Sequence, residues 1–176
     1  MWTIDKSFNF EMGHRVWAQK LPHAHLSIDT ACACKHLHGH SYKIKVFLSG
    51  EKLDQSGMVT DFKNLNFVKK FVDEKLDHKF MIDINDPHFD IITGISSAYF
   101  HEFKQFSNLG EIVCHKDEEI SSHLHSFVLV NFCPTSENIC KHLFEYLKDE
   151  IKDVANLVAV ELWETEKSHC RYEENV

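Results

Sequence analysis

His38-Gly39-His40-Ser41-Tyr42-Lys43-Ile44-Lys45-Val46-Phe47-Leu48-Ser49 is the stretch on which the reading of this chain turns. Tyr42, Ile44, Val46 and Leu48 fall on alternate positions, with Lys43 and Lys45 between them. Period two marks a strand with one buried face. Residues i and i+2 of a strand point to the same side, so the imidazoles of His38 and His40 project together.

Upstream, Trp2, Ile4, Phe8, Phe10 and Met12 also alternate, which predicts a first strand ending near His14. Residues 15–37 have no period and read as a loop. If the two strands pair antiparallel through that loop, the end of the first meets the start of the second. His14, His38 and His40 then converge. Three imidazole nitrogens with an open fourth position describe a catalytic zinc site rather than a structural one. Gly39 between two of them allows close approach or an unusual backbone angle. A His-x-His pair alone is a weak signal. His23 and His25 form another pair, His36 shares the face, and His123 with His125 reads as a solvated hairpin edge.

Downstream, turns at Ser49-Gly50 and Ser56-Gly57 lead to Asp61, an N-cap for a helix over residues 62–76 with Leu65, Val68, Val72 and Leu76 on one stripe. A second helix follows Pro134-Thr135-Ser136, with Ile139, Leu143, Tyr146, Leu147 and Ile151 as its apolar stripe. Strands over 157–165 and 170–172 close the chain. The expected class is α+β, an antiparallel sheet with two helices on one face. Residues 87–133 interrupt the pattern. They read as a short helix over 97–106 and a hairpin of 111–115 with 127–132.

One domain suits 176 residues, and an apolar share of 43% is enough for a core at that size. The formal charge of -8 argues against nucleic acid or an anionic membrane surface as main partner. The apolar runs are far too short to span a bilayer. Met1 to Lys6 has no basic segment followed by an apolar one, so no secretory signal and a cytoplasmic location are expected. Six cysteines are then expected as reduced thiols rather than a disulfide scaffold.

Six motifs in order carry a resemblance. They are Phe8-Asn9-Phe10 through His14-Arg15; Cys34-Lys35-His36-Leu37-His38-Gly39-His40-Ser41-Tyr42; Gly57-Met58-Val59-Thr60-Asp61-Phe62; Leu76-Asp77-His78; Pro134-Thr135-Ser136-Glu137-Asn138; and Glu164-Thr165. Together the chain resembles the 6-carboxytetrahydropterin synthase / 6-pyruvoyl-tetrahydropterin synthase family over nearly its whole length apart from 87–133. The resemblance implies a tunnelling fold, subunits assembling into an oligomeric β-barrel, usually a homohexamer, and active sites between subunits. The implied substrate is 7,8-dihydroneopterin triphosphate, with Zn2+ held by His14, His38 and His40. It further implies Cys34 as the proton-transferring thiolate and His78, oriented by Asp77, as its relay. Glu164 would bind the pterin's amidine-like edge, with Thr135 and Ser136 adding hydrogen bonds.

Read alone, Leu76-Asp77-His78 is a helix C-terminus, Glu164 an exposed strand end, and Thr135-Ser136 a helix start. Cys34 lies four residues before His38, the spacing of the carboxy type. Cys32 lies six before it, nearer the pyruvoyl type. The carboxy reaction yields 6-carboxy-5,6,7,8-tetrahydropterin, acetaldehyde and triphosphate, for deazaguanine (queuosine) synthesis. The pyruvoyl reaction only eliminates triphosphate and rearranges, toward tetrahydrobiopterin. A non-catalytic zinc-binding member of the fold is a further alternative. A three-histidine zinc hydrolase fits less well, since no His-Glu-x-x-His helix is present.

Overall fold

A computed structural model describes residues 1–21, 25, 31–97 and 118–174. Six strands form one sheet in the order β4-β3-β1-β2-β5-β6. They are β1 (Trp2–His14), β2 (His38–Gly50), β3 (Lys79–Asp83), β4 (Phe127–Val130), β5 (Asn156–Thr165) and β6 (Ser168–Glu173). The helices are α1 (Asn66–Lys75), α2 (Phe89–Thr93), α3 (Glu118–Leu124) and α4 (Ser136–Ile151).

The expected alternation is observed on β2 and from Phe8 onward on β1, whereas Trp2 is exposed and Ile4 half-buried. On β1, Phe8, Phe10, Met12 and His14 are buried; on β2, Tyr42, Ile44, Val46 and Leu48. Each such apolar side chain removed from water contributes about 1.5–3 kcal/mol before entropy is counted. The alternation therefore fixes which face is inward, since a one-residue slip would expose them all.

The chain divides into two compact units. The first comprises Met1–Glu11, His40–Asp77 and Ser136–Val176; the second comprises Met12–Gly39 and His78–Thr135. β1 and β2 run continuously through the boundary. In the first unit the Phe10 ring stacks on Tyr42 with centroids 5.2 Å apart, and Ser41 Oγ donates to Glu11 Oε2 at 2.9 Å. Those contacts set 10 against 42 and 11 against 41, so β1 and β2 are antiparallel. β2 pairs antiparallel with β5, and β5 with β6. α4 packs on β5 and β6, burying Ile139, Cys140, Leu143, Phe144, Leu147 and Ile151. Phe71 of α1 stacks on Tyr146 of α4 at 4.5 Å, which joins the two long helices in one layer.

In the second unit β3 pairs with both β1 and β4, and both pairings are parallel. The sheet is therefore mixed, where an antiparallel one was expected. β3 was missed because Phe80, Met81 and Ile82 form a short apolar run without alternation, as parallel strands covered on both faces do. β4 falls within the expected hairpin arm 127–132, but its partner among the described residues is β3. The other expected arm, 111–115, lies outside those residues, as does nearly all of the expected helix over 97–106. α2 and α3 were not anticipated. A small core of Ile82, Ile84, Phe89, Phe127 and Leu129, with Phe80, Ile92 and Ile95 against it, holds this unit.

The helix expected over 62–76 is broken at its start. Residues Phe62–Leu65 form a 3-10 turn capped by Asp61, whose carboxylate accepts from the Lys63 N–H at 2.8 Å, and α1 begins at Asn66. Among the described residues no disulfide joins Cys32, Cys34, Cys133, Cys140 or Cys170. Cys140 Sγ donates to the Val160 carbonyl at 3.2 Å, and Cys170 Sγ to that of Ser136 at 3.0 Å.

Candidate metal centre

Strand geometry builds the centre. His38 and His40 alternate with Gly39 on β2, and His14 ends β1. In the second unit a Cβ on Gly39 would sit 3.1 Å from the Met12 carbonyl oxygen and 3.5 Å from the Gly13 Cα. A side chain there would fit only if the facing backbone gave way by a few tenths of an ångström. The His14 and His38 rings lie 4.5 Å apart, tilted at 47°. The ligand atoms offered by His14, His38 and His40 all lie within 4.8 Å of one another, with His14 buried and the other two half-buried.

The donor set fits a metal ion. His14 Nδ1 lies 2.8 Å from the Pro134 carbonyl oxygen, and His38 Nδ1 lies 2.8 Å from that of His36. A carbonyl oxygen only accepts, so each Nδ1 carries a ring proton, which in a neutral ring leaves the Nε2 lone pair open. Metal-binding histidines are held in this way, with the far ring nitrogen donating to a carbonyl or carboxylate. Neutral imidazoles of fixed tautomer are the form that a divalent cation takes without displacing a proton. The chemistry the arrangement supports is Lewis-acid activation at three nitrogens.

The other expected site residues are distributed as follows. Glu164 Oε1 lies 3.6 Å from His40 Nε2, an electrostatic contact rather than a hydrogen bond. Trp163 pairs with His169 and Thr165 with Ser168, so β5 carries one extra residue at Glu164. A bulge of this kind re-aims a side chain and recurs beside functional sites. The exposed-strand-end reading therefore misses the particular feature: Glu164 is half-buried at a break in the ladder.

Asp77 Oδ1 accepts from the Glu11 N–H at 2.7 Å, which ties the end of α1 to β1. His78 follows in the left-handed region at φ +58°, where bulky residues are rare. Cys34 is half-buried in a 3-10 turn, Ala33–Lys35, whose preceding residue Cys32 is also left-handed at φ +51°. The Val16 N–H donates to the Cys34 carbonyl at 2.7 Å, anchoring that turn to the residues just past His14. Thr135 and Ser136 are half-buried at the start of α4. His123 and His125 are exposed, as expected, though at the end of α3 and in the turn after it.

Sequence reasoning missed a buried polar group in the second unit. Arg15 Nε meets Asp86 Oδ2 at 3.1 Å, with Asp86 fully buried, and an Arg15 guanidinium N–H lies 3.0 Å from His88 Nδ1. The Trp17 indole donates to Asp83 Oδ2 at 2.8 Å. Burial pushes the nearby Cys133 thiol up, aided by Asp83 and Asp86 and opposed by backbone donors. Only the placing of Arg15 directly after His14 hinted at this.

Among the described residues no helix is long and apolar enough to cross a membrane.

The fold and the histidine cluster define a class. The family profile for 6-pyruvoyl tetrahydropterin synthase matches residues 3–175, and the chain belongs to that family. The "6-carboxy-5,6,7,8-tetrahydropterin synthase" of Aquifex aeolicus is 32% identical over 98% of this chain and 98% of its own. The protein of the same name from Haemophilus influenzae is 30% identical over 99% and 100%. Among solved structures, an uncharacterized protein from Wolinella succinogenes matches with a TM-score of 0.82 and 38% identity, covering 99% of this chain and 98% of that one. The 6-pyruvoyl tetrahydropterin synthase of Caenorhabditis elegans shares the fold at a TM-score of 0.57 and 24% identity, over 99% and 96%. The architecture is thus the tunnelling fold.

Proposed function

We propose that the chain is a zinc-dependent 6-carboxy-5,6,7,8-tetrahydropterin synthase. It would convert 7,8-dihydroneopterin triphosphate and one water to 6-carboxy-5,6,7,8-tetrahydropterin, acetaldehyde and triphosphate, serving deazaguanine (queuosine) synthesis. The observation that carries this reading is the cluster of His14, His38 and His40, two with tautomers fixed by carbonyl acceptors. The name borne by the full-length relatives supports the carboxy product.

His14, His38 and His40 hold the ion, and their neutral, soft-to-borderline nitrogen set suits zinc. Zinc, when bound, supplies Lewis acidity that makes the substrate's side-chain hydroxyls and the carbons beside them more acidic. Glu164 accepts two N–H donors from the amidine-like edge of the pterin, a charge-assisted pair. Its place beside His40 then sets the pterin side chain toward the three imidazoles. Thr135 and Ser136 add hydrogen bonds to the ring. Cys34 removes the proton as thiolate. His78 relays it, with Asp77 anchored on β1 to steady the turn that carries both. We further propose assembly into a homohexamer with sites between subunits, and a remodelled pocket entrance from residues 87–133.

Cys32 keeps the pyruvoyl reading in play, since it lies six residues before His38. Chelation should abolish consumption of 7,8-dihydroneopterin triphosphate and added zinc should restore it. Cys34→Ala should stop turnover while leaving zinc binding intact. Full turnover by Cys34→Ala, with loss in Cys32→Ala, would transfer the base role to Cys32 and favour the pyruvoyl product.

A further inference from the structure

We infer that Pro134 is a positioning residue for the metal centre: its backbone carbonyl sets the tautomer and ring angle of His14. The inference rests on the reading of His14, His38 and His40 as metal ligands. It deepens that reading by naming the part of the chain that aims one of them.

The two ligands with described carbonyl partners are held differently. His38 uses the carbonyl of His36, two residues away on its own strand approach. His14 uses a carbonyl 120 positions distant, at the head of α4. His14 is fully buried, and Pro134 is buried with it. A ring turned away from that carbonyl would leave both groups without water to replace the bond.

The local chain is shaped to present that oxygen. The Thr135 N–H donates to the Cys133 carbonyl at 2.8 Å, closing an i to i+2 turn centred on Pro134. Inverse γ-turns hold their central residue at φ near −75°, which the pyrrolidine ring already favours. Proline therefore locks the peptide that carries the acceptor. A proline serving only to begin α4 would need no such turn and no buried carbonyl partner. The Pro134-Thr135-Ser136 stretch thus has two duties, with Pro134 facing the metal ligand and the residues after it facing the pterin.

The test uses the full chain with Pro134→Ala and Pro134→Gly, which keep the carbonyl but loosen the turn. Zinc affinity is read by competition with a chromophoric chelator. The His14 tautomer is read in the metal-free protein from nitrogen-15 shifts of labelled histidine. Loss of an outer-shell partner typically weakens metal binding 10–100-fold. The expected result is a zinc Kd raised about tenfold in Pro134→Ala and more in Pro134→Gly, with a smaller Nδ1–H share for His14. A Kd within about twofold of wild type and an unchanged tautomer, with only the melting temperature lowered, would overturn the inference. If the wild-type chain bound no zinc, the metal reading would fall, and the tautomer measurement would still decide the role of Pro134.

Discussion

Glu164 Oε1 lies 3.6 Å from His40 Nε2, so the carboxylate at the β5 bulge is set beside one of the three clustered imidazoles. In the function proposed above, Glu164 binds the pterin beside His40. Glu164→Gln keeps the size and removes the charge. Two hydrogen bonds to a charged group are together worth about 3 kcal/mol or more. Calorimetric titration with 7,8-dihydroneopterin should show a Kd raised about 100-fold, with zinc content unchanged. Equal pterin affinity in the variant would remove Glu164 from the site.

Gly13 is the second test point. A Cβ there would clash with Phe80 Cδ2 and lie 3.3 Å from the His38 carbonyl oxygen. Phe80 is half-buried against the small core of the second unit, so its ring must shift along that core to make room. Overpacking of this kind costs about 1–3 kcal/mol. Gly13→Ala should lower the thermal midpoint and weaken zinc binding together, since the clash falls between His14 and His38. A variant as stable as wild type would show that the Phe80 ring moves freely.

The Arg15–Asp86 ion pair is buried, with side-chain exposures of 11% and 0%. Removing one partner leaves a buried charge unmatched, a loss of about 3–5 kcal/mol. Asp86→Ala should unfold at clearly lower denaturant in urea titrations. Arg15→Met with Asp86→Leu should recover much of the loss, because the pair's attraction only offsets its desolvation.

His142 on α4 gives the pH dependence. Burial lowers its pKa below the ordinary imidazole value of 6.5, with Glu145 opposing the shift. The unfolded chain therefore takes up this proton first as the solution is acidified. Its cost is absent above pH 6.5 and grows between 6.5 and the lower folded value. Stability should fall on acidification from pH 7.5 to 5.5, and His142→Gln should fall less steeply. Parallel slopes would mean that the imidazole is fully solvated.

Much of this was legible in the chain. Alternation on β1 and β2 fixed their inward faces, and the His38-Gly39-His40 step put two imidazoles on one side. Pairing the end of β1 with the start of β2 then brought in His14, because antiparallel partners reverse direction. The motif at 134–138 marked the start of α4. What was not legible is non-local. β3 and β4 pair in parallel across more than forty residues, and a short apolar run carries no sign of its partner. The Glu164 bulge depends on register with β6, which no spacing within β5 reveals. The bond from His14 to Pro134 uses a main-chain oxygen, which side-chain patterns cannot show. Arg15 and Asp86 meet only once β3 is placed.

The most direct measurement is product identification by mass spectrometry after incubating the zinc-loaded protein with 7,8-dihydroneopterin triphosphate. The account predicts 6-carboxy-5,6,7,8-tetrahydropterin with stoichiometric acetaldehyde and triphosphate. A 6-pyruvoyl product without acetaldehyde, or recovery of unchanged substrate from protein that carries zinc, would contradict it.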